Sequence, residues 1–397
     1  MNRGALATLL LTVFLDLLGF GLVVPFLPRM ARELGASDLF ATMIAASFSL
    51  MQLVFVPLWG RLSDRIGRRP VLLVSIAATV VSGTVLAFAS SLPVLIAARL
   101  IAGCGTANIA VAQAYVADVT TPATRARGMG MIGAAFGFGF IIGPIVGGRL
   151  AELMLWGRQA AAPALAAAAL SALNLVLAFF TLREPERARD STPPLRIHPL
   201  DVVRFVAAIR RAGVVVPLLV NLMLIGSFSG FEVTFTLFTM DTFAMDARAT
   251  GNVFGVLGVT AVLVQGGLIR RLARFGEARV IRAGALILSA GFIALALSPR
   301  WGASSLYVII GVLALGIGIA NPSLSAYVSK KTAASQQGAT LGVLQSSGAL
   351  ARVIGPAAGG ALYQHVGHAA PYVASAIGMA IAALIAGALT TPPSADR

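Results

Sequence analysis

Twelve long apolar runs divide this 397-residue chain, and they restrict what it can fold into more than any other feature. Each run holds 18 or more residues, about the length that a helix needs to cross the roughly 30 Å hydrocarbon core of a bilayer. Because lipid offers no hydrogen bonds, a backbone in the bilayer must satisfy its own, and runs of this length therefore form helices. We predict an all-α membrane protein with twelve transmembrane helices. The runs cover residues 5–27, 40–60, 71–90, 93–116, 127–149, 162–182, 213–239, 250–270, 281–298, 303–327, 337–362 and 370–390.

The composition excludes several other classes of protein. Apolar residues make up 58% of the chain and charged residues only 11%, whereas soluble domains carry roughly a quarter charged residues. A soluble enzyme, a disordered protein and a collagen-like fibre are therefore excluded. Cys104 is the single cysteine, which excludes a disulfide scaffold and a Cys-rich zinc module. With three scattered histidines and no catalytic constellation, we expect no enzyme, no metal and no cofactor.

The placement of the basic residues predicts the orientation in the membrane. The net charge of +15 could indicate nucleic acid, but the 30 Lys and Arg residues lie almost entirely in the short segments between the apolar runs, and only Arg99 and Arg352 lie well inside predicted spans. If the N-terminus is cytoplasmic, the inner segments hold 22 of them and the outer segments hold six. Inner loops of membrane proteins carry this excess. We therefore expect both termini in the cytoplasm, lipid around the protein and no nucleic-acid partner.

An internal repeat predicts two halves. The segment Gly143-Pro144-Ile145-Val146-Gly147-Gly148 recurs as Gly355-Pro356-Ala357-Ala358-Gly359-Gly360, and Tyr115-Val116 recurs as Tyr327-Val328. Both second copies follow their first copies at the same spacing, which we call the repeat offset. A common offset indicates two six-helix bundles related by a repeat axis along the membrane normal. The predicted domains are residues 1–182 and 213–397, joined by a polar cytoplasmic linker at 183–212. Residues 196–211 could form an amphipathic helix on the membrane surface.

The loop after the second run carries the most specific motif. It reads Gly60-Arg61-Leu62-Ser63-Asp64-Arg65-Ile66-Gly67-Arg68-Arg69-Pro70. A basic anchor loop is the alternative, but it would not explain Asp64 or the glycine spacing. The loop resembles the inter-span signature of the major facilitator superfamily, which implies that it braces a cytoplasmic gate. The gate residues implied are Gly60, Asp64, Arg65, Gly67 and Arg68. Residues 270–277 are a degraded copy in the second half.

A small-residue face in the fifth run adds a second motif, formed by Gly139, Gly143, Pro144, Gly147 and Gly148. Glycines at this spacing let helices pack closely, and Pro144 should bend the helix. The pattern also resembles the span-five signature of antiporting members of the superfamily. Arg99 with Gly103 in the fourth run is similar to another signature of the proton-coupled drug exporters. A snorkelling arginine at the membrane interface is the alternative for Arg99.

Taken together, the motifs between positions 1 and 150 resemble the tetracycline-efflux-like group of drug:proton antiporters. The resemblance implies the major facilitator fold, alternating access, a monomer and the bacterial cytoplasmic membrane. One departure concerns the substrate. Members of that group that export tetracycline typically carry further acids in spans three and nine, but residues 71–90 and 281–298 contain no Asp or Glu. This departure weakens the expectation of tetracycline itself.

Asp16 and Glu232 are the two acids that we place well inside predicted spans. Acidic residues inside a membrane mark proton or substrate pathways. We expect Asp16, Glu232 and Arg99 to take part in proton coupling. A permanently paired structural role is the alternative for Asp16, and hydration near the outer mouth is the alternative for Glu232.

Phenylalanines surround Glu232 at helical spacing. Phe228, Phe231, Phe235 and Phe238 follow one another at steps of 3, 4 and 3, which places them on one helix face. Aromatic rings beside an acid suit a large, flat, cationic ligand; a lipid-facing stripe is the alternative. Mid-span amides could line the same cavity or join helices. The predicted substrate-binding residues are Asn108, Gln113, Phe228, Phe231, Glu232, Phe235 and Gln345.

These patterns predict a proton-coupled exporter of drug-like or lipophilic compounds. Export of one endogenous metabolite or lipid is the alternative among transporters. A receptor or scaffold would need neither the acids inside the spans nor the gate loop.

Overall fold

The computed structural model describes residues 3–105, 108–119, 122–158, 161–184, 214–332 and 337–389. Across these residues the chain forms α-helices with short turns, and the only β-type pairing among them is an isolated bridge between Leu155 and Arg158. The helices, in chain order, are α1 (Arg3–Val23), α2 (Leu27–Glu33), α3 (Asp38–Ile66), α4 (Arg68–Ala87), α5 (Leu92–Gly105), α6 (Asn108–Val119), α7 (Pro122–Ala151), α8 (Ala161–Thr181), α9 (Val215–Phe243), α10 (Ala247–Leu263), α11 (Ile269–Leu272), α12 (Glu277–Leu297), α13 (Ser305–Lys331), α14 (Gln337–His365) and α15 (Ala370–Ala386).

Each of the twelve predicted spans coincides with one helix or with two consecutive helices. The first span continues from α1 through a 3₁₀ turn at Val24–Phe26 into α2, where Pro25 removes a backbone donor. The eighth passes from α10 through a π-helical turn at Val264–Leu268 into α11. The described parts of the fourth are α5 and α6. The 3₁₀ and π-helical turns in the first and eighth spans were not predicted, because hydropathy reports the apolar length of a run and not the continuity of its hydrogen bonds.

Seven helices of the described chain are long and apolar enough to cross a membrane, or eight if the bent pair α1–α2 counts as one span. Three shorter apolar helices occupy other predicted spans. The prediction of an all-α membrane protein is confirmed, and the twelve-span count is consistent with this arrangement.

The two copies of the repeated segment pack in the same way. On α7, a Cβ atom added at Gly143 would lie 2.6 Å from the Cα of Gly21 on α1. On α14, a Cβ at Gly355 would lie 3.0 Å from the carbonyl carbon of Gly226 on α9. The second copy thus holds the first helix of its half as the first copy does. We call α1–α8 the first half and α9–α15 the second half. The predicted amphipathic helix at 196–211 lies outside the described residues, as does most of the predicted linker.

Candidate transport site and gates

The two halves are joined at one end of the molecule by an ion-pair cluster. Arg32, at the end of α2, donates from Nη1 and Nη2 to the two carboxylate oxygens of Asp241 on α9, both at 2.7 Å. Its Nε donates to Asp38 at 2.5 Å, and the hydroxyl of Tyr363 donates to Asp241 at 2.6 Å. His368 stacks on Tyr363 with ring centroids 4.7 Å apart. These five residues form the Asp241 cluster, and this end of the molecule is the Asp241 end.

Close contacts between helices also seal the Asp241 end. The backbone N–H of Leu39 donates to Gln364 Oε1 at 3.0 Å. A Cβ at Gly360 on α14 would lie 2.9 Å from the Cβ of Thr42 on α3. On the other side, a Cβ at Gly148 on α7 would lie 3.0 Å from the Cα of Arg248 on α10. The helix pairs α3–α14 and α7–α10 therefore meet closely at the Asp241 end.

The opposite ends of α3 and α14 stand open. A Cβ added at Gly60 on α3 or at Gly342 on α14 would meet no atom within 4 Å. Gln345, one turn along α14, is exposed. We call this the Asp64 end. The halves are thus closed at the Asp241 end while these turns at the Asp64 end face open space.

Arg68 is the hub of the predicted gate loop. Its Nε donates to Asp118 on α6 at 3.0 Å, and its Nη1 donates to Ser63 and pairs with Asp64, both at 2.6 Å. The Asp64 side chain is 62% exposed, and Gly60 and Arg65 lie on the same last turns of α3. The loop therefore joins α3, α4 and α6 by charge.

Glu184, which the sequence placed in the linker, caps α4. Its carboxylate accepts from the backbone N–H groups of Arg68 and Arg69 at 2.6 and 2.8 Å. Helix N-termini leave such groups without partners and favour negative charge. Gly67 makes room for the carboxylate: it has φ +114°, and a Cβ there would lie 2.8 Å from Glu184 Oε2. Sequence spacing could not show this contact, because 116 residues separate its partners.

The degraded copy of the gate loop keeps the geometry with the charges exchanged. Gly276, with φ +85°, precedes α12 as Gly67 precedes α4. Glu277 begins α12 and accepts a hydrogen bond from Lys330 Nζ. Lys330 is the counterpart of Asp118 at the repeat offset. An arginine–aspartate pair in the first half thus becomes a glutamate–lysine pair in the second.

The small-residue face of α7 packs against two helices. Gly139, Gly143 and Gly147 face α1, where a Cβ at Gly139 would lie 2.9 Å from the Cβ of Leu17. Gly148 faces α10. Pro144 lies inside α7 between these contacts. The glycines therefore allow both the packing of the first half and its approach to the second.

Arg99 lies inside the first half. It is 6% exposed, its guanidinium carbon lies 4.6 Å from the ring centroid of Phe48, and its Nε makes no hydrogen bond in the described structure. Phe48 packs on Phe20 at 5.5 Å. Phe20 follows Asp16 by one turn of α1, and Asp16 is half-buried. The structure thus places Asp16 and Arg99 around one group of aromatic rings.

Three of the four phenylalanines on α9 lie in the core. Phe231 and Phe235 are 0% exposed, with rings 5.2 Å apart, and Phe238 packs on Tyr372 at 5.0 Å. Only Phe228 is half-buried, like Glu232 one turn later. Phe228 and Glu232 are therefore partly accessible, whereas Phe231 and Phe235 are enclosed in the core. The spacing correctly placed the four rings along one helix but could not show what that face meets.

Arg352 is a residue that sequence reasoning noted inside a span but gave no role. It is half-buried on α14 and interacts electrostatically with Glu232 on α9. The pair therefore brings together an acid and a base that both lie inside predicted spans. The signal in the sequence was the position of Arg352 within an apolar run.

The predicted amides take different positions. Gln113 and Gln345 are exposed. Asn108 begins α6, and its side chain lies outside the described part of the structure. Asn221 instead joins α9 to α14, since its Nδ2 donates to Leu344 O at 2.9 Å and to Ser347 Oγ at 2.8 Å.

Comparison with known proteins identifies the architecture. The family model of the Major Facilitator Superfamily matches residues 9–312 and 270–397. The chain belongs to the Major Facilitator Superfamily. The expected resemblance and the major facilitator fold are confirmed.

Relatives within the Major Facilitator Superfamily include tetracycline resistance proteins. The class C protein of Escherichia coli is 34% identical over 368 residues, which cover 91% of this chain and 90% of that protein. The class G protein of Vibrio anguillarum is 36% identical over 367 residues, 91% of each. Among solved structures, the human organic anion transporter MFSD10 (TETRAN) aligns with a TM-score of 0.72 and 28% identity over 97% of this chain and 99% of that one. The chain is an integral membrane transporter of small molecules and no enzyme.

Proposed function

We propose that the chain exports drug-like or lipophilic compounds from the bacterial cytoplasm in exchange for protons, working as a monomer. The observation that carries the proposal is a half-buried carboxylate inside a helix of each half: Asp16 on α1 and Glu232 on α9. A carboxyl group shielded from water can bind a proton from one side and release it to the other. The similarity to tetracycline resistance proteins supports export.

Alternating access follows from the two ends. The excess of basic residues in predicted inner loops favours a cytoplasmic Asp64 end and cytoplasmic termini. The Asp241 cluster then closes the outer face, and substrate enters from the cytoplasm. Transport requires the Asp241 cluster to open and the gate loop around Arg68 to close against the second half, by rocking of the two bundles.

Each group has a proposed role. Asp16 carries the proton. The charge of Asp16 acts electrostatically on the buried guanidinium of Arg99 across the rings of Phe48 and Phe20. Glu232 and Phe228 bind substrate from α9. Asn108, Gln113 and Gln345 provide further polar groups along the path.

Proton movement in proteoliposomes tests the proposal. A pH-sensitive dye inside the vesicles should report proton movement when substrate is added to wild type. Asp16→Asn should abolish that signal and uphill export, while substrate binding and downhill exchange remain. Glu33→Gln, which alters a partly exposed acid that pairs with Arg29 on its own helix α2, serves as the matched control and should behave as wild type. Loss of the signal in Glu232→Gln but not in Asp16→Asn would make Glu232 the carrier, and no proton movement by wild type at any pH would contradict antiport.

Export of a lipid or lipophilic metabolite is the second candidate. An apolar surface groove of about 420 Å³ lies between α10 and α13. It is lined by Thr260, Leu263, Val264, Leu268, Val308, Gly311, Val312 and Leu315. Such a groove suits an acyl chain. Co-purified lipid that is lost in Gly311→Leu, together with transport of that lipid by wild type, would favour this function.

A further inference from the structure

Glu232 and Arg352 form an unusual pair of charges within the second half. Both side chains are half-buried, and they attract each other across the interface of α9 and α14. Charged groups inside a membrane protein normally pair directly with one another or with backbone carbonyls. In the described structure neither side chain makes a hydrogen bond, and the two do not form a salt bridge. In this conformation each of the two charges therefore lacks a direct hydrogen-bonding partner among the described residues.

The helices that carry the pair are held firmly together, so the gap between the charges is not a result of loose packing. A Cβ added at Gly230 on α9 would lie 3.2 Å from the carbonyl carbon of Gly355 on α14. Nearer the start of α9, the side chain of Asn221 is hydrogen-bonded to α14. The two helices thus pack closely beside the charges. The Arg352 guanidinium lies along α14 toward Gly348, 3.8 Å from the Cβ position there.

The repeat supports the direction in which Arg352 points. Its counterpart in the first half, at the repeat offset, is Phe140 on α7. The ring of Phe140 lies 6.0 Å from that of Phe20 on α1. This position of the repeated segment therefore faces the first helix of its own half. In the second half that helix is α9, which carries Glu232.

Apolar and polar groups surround the two charges. Phe228 lies one turn before Glu232 on α9, and its half-buried ring packs on the buried ring of Phe231 at 5.5 Å. Gln345 lies two turns before Arg352 on α14 and is exposed. The charges therefore have a ring beside them and an open polar face toward the Asp64 end.

We propose that Glu232 and Arg352 bind the two charges of a zwitterionic aromatic substrate, whose cationic group faces Glu232, whose anionic group faces Arg352 and whose ring packs on Phe228. This inference rests on the proposed transport function and names its substrate class. Neither charge has another partner in the described residues, so a ligand need not break an existing hydrogen bond to bind.

Charge complementarity separates a zwitterion from other ligands. A ligand with one charge pairs with one member and leaves the other desolvated without a partner, which is costly. A zwitterion gives each member a charge-assisted hydrogen bond, and such bonds are the strong ones. Selectivity should therefore depend on both charges being present on the same ligand.

A matched series of ligands tests the site. Ciprofloxacin is zwitterionic near neutral pH, its methyl ester is a cation and its N-acetyl derivative is an anion, while the ring system stays the same. Fluorescence anisotropy of the three compounds with purified full-length protein gives their affinities. Wild type should bind the zwitterion about ten-fold more tightly than either derivative, as expected for one charge-assisted bond.

Variants assign each charge to its partner. Arg352→Gln should bind ciprofloxacin and its ester equally, and Glu232→Gln should bind ciprofloxacin and its N-acetyl derivative equally. Arg352→Lys keeps the charge and should keep the selectivity. Arg300→Gln, in the turn after α12, is the control for general loss of positive charge. If a single neutralisation prevents folding, the double variant Glu232→Gln/Arg352→Gln should fold and bind all three compounds alike.

Several results would overturn the inference. They are equal binding of the three compounds by wild type, preference for the anion or the cation, or an equal loss for all three compounds in Arg352→Gln. Export assays keep the two proposals apart. If wild type exports all three compounds with protons but without selectivity, the zwitterion site is wrong and the exporter proposal stands. If wild type binds the zwitterion selectively but moves no protons, antiport is wrong and the site stands.

Discussion

At the scale of single residues, the gate loop depends on Arg68 having more than one acidic partner. We expect Asp64→Asn to leave the protein folded, because Arg68 keeps its bonds to Asp118 and Ser63. Turnover in proteoliposomes should nevertheless fall sharply, since the charge that braces the loop during closure is lost. Arg61→Gln alters an exposed residue of the same loop and is the matched control. Near-normal transport by Asp64→Asn would contradict a gating role.

A second residue-scale prediction separates packing from binding on α9. Phe235→Ala removes a fully buried ring, so it should lower the free energy of unfolding by about 3–5 kcal/mol. Phe228→Ala removes a half-buried ring and should mainly weaken substrate affinity several-fold, equivalent to about 1 kcal/mol. Thermal unfolding and ligand titration of both variants measure the two effects. The reverse pattern would place Phe235, and not Phe228, at the ligand.

Residue types and their spacing indicated only part of the candidate site. Asp16, Glu232 and Arg99 were selected because a charge in an apolar run is conspicuous. Helical periodicity placed Phe231 and Phe235 on one face, but whether a face meets the core, the cavity or lipid depends on the neighbouring helices. The contacts of Glu184 and of Arg352 depend on residues more than a hundred positions away, and no local pattern reports such distances.

At the scale of helices, the packing of α7 depends on backbone proximity. A methyl group at Gly143 would lie 2.6 Å from the Cα of Gly21, and backbone cannot move aside as a side chain can. We expect Gly143→Ala to destabilise the protein by about 1–3 kcal/mol. Gly342→Ala on α14 meets no atom within 4 Å and is the control, with no loss expected. Equal melting temperatures for the two variants would refute this account.

The helices themselves were predicted well, since lipid leaves a long apolar run almost no alternative to helix. Their interruptions were missed, and so was the meaning of residues 270–277. Residues 270–277 contain no Asp, and Glu277 follows Gly276 where Arg68 follows Gly67 in the first loop, so the copy looked degraded. Because an ion pair keeps its attraction when both charges are exchanged, Glu277 and Lys330 preserve the contact while changing the sequence.

At the scale of the whole molecule, closure at the Asp241 end predicts that a covalent cross-link between the halves at this end would block transport. Thr42→Cys with Gly360→Cys, in a Cys104→Ser background, should form a disulfide between the halves, because the two Cβ positions are 2.9 Å apart and need to separate by only about 1 Å. Transport should stop on oxidation and return on reduction.

The same helices provide the control for this cross-link. Gly60→Cys with Gly342→Cys places thiols on α3 and α14 at the Asp64 end, where both positions face open space. This pair should cross-link only when the protein turns over. Full transport by the oxidised Thr42–Gly360 pair would mean that the Asp241 end need not open.

Glu184 bears on how the chain could be divided. The last residues of the first half are attached to that half, since Glu184 holds the start of α4 and the carbonyl of Arg183 accepts from Tyr115 at 2.5 Å. A break in the polypeptide just after residue 184 would therefore release neither contact. Two separately translated fragments should each keep their own fold and reassemble in the membrane. In that sense, the intact transporter behaves as two different subunits that are joined in one polypeptide.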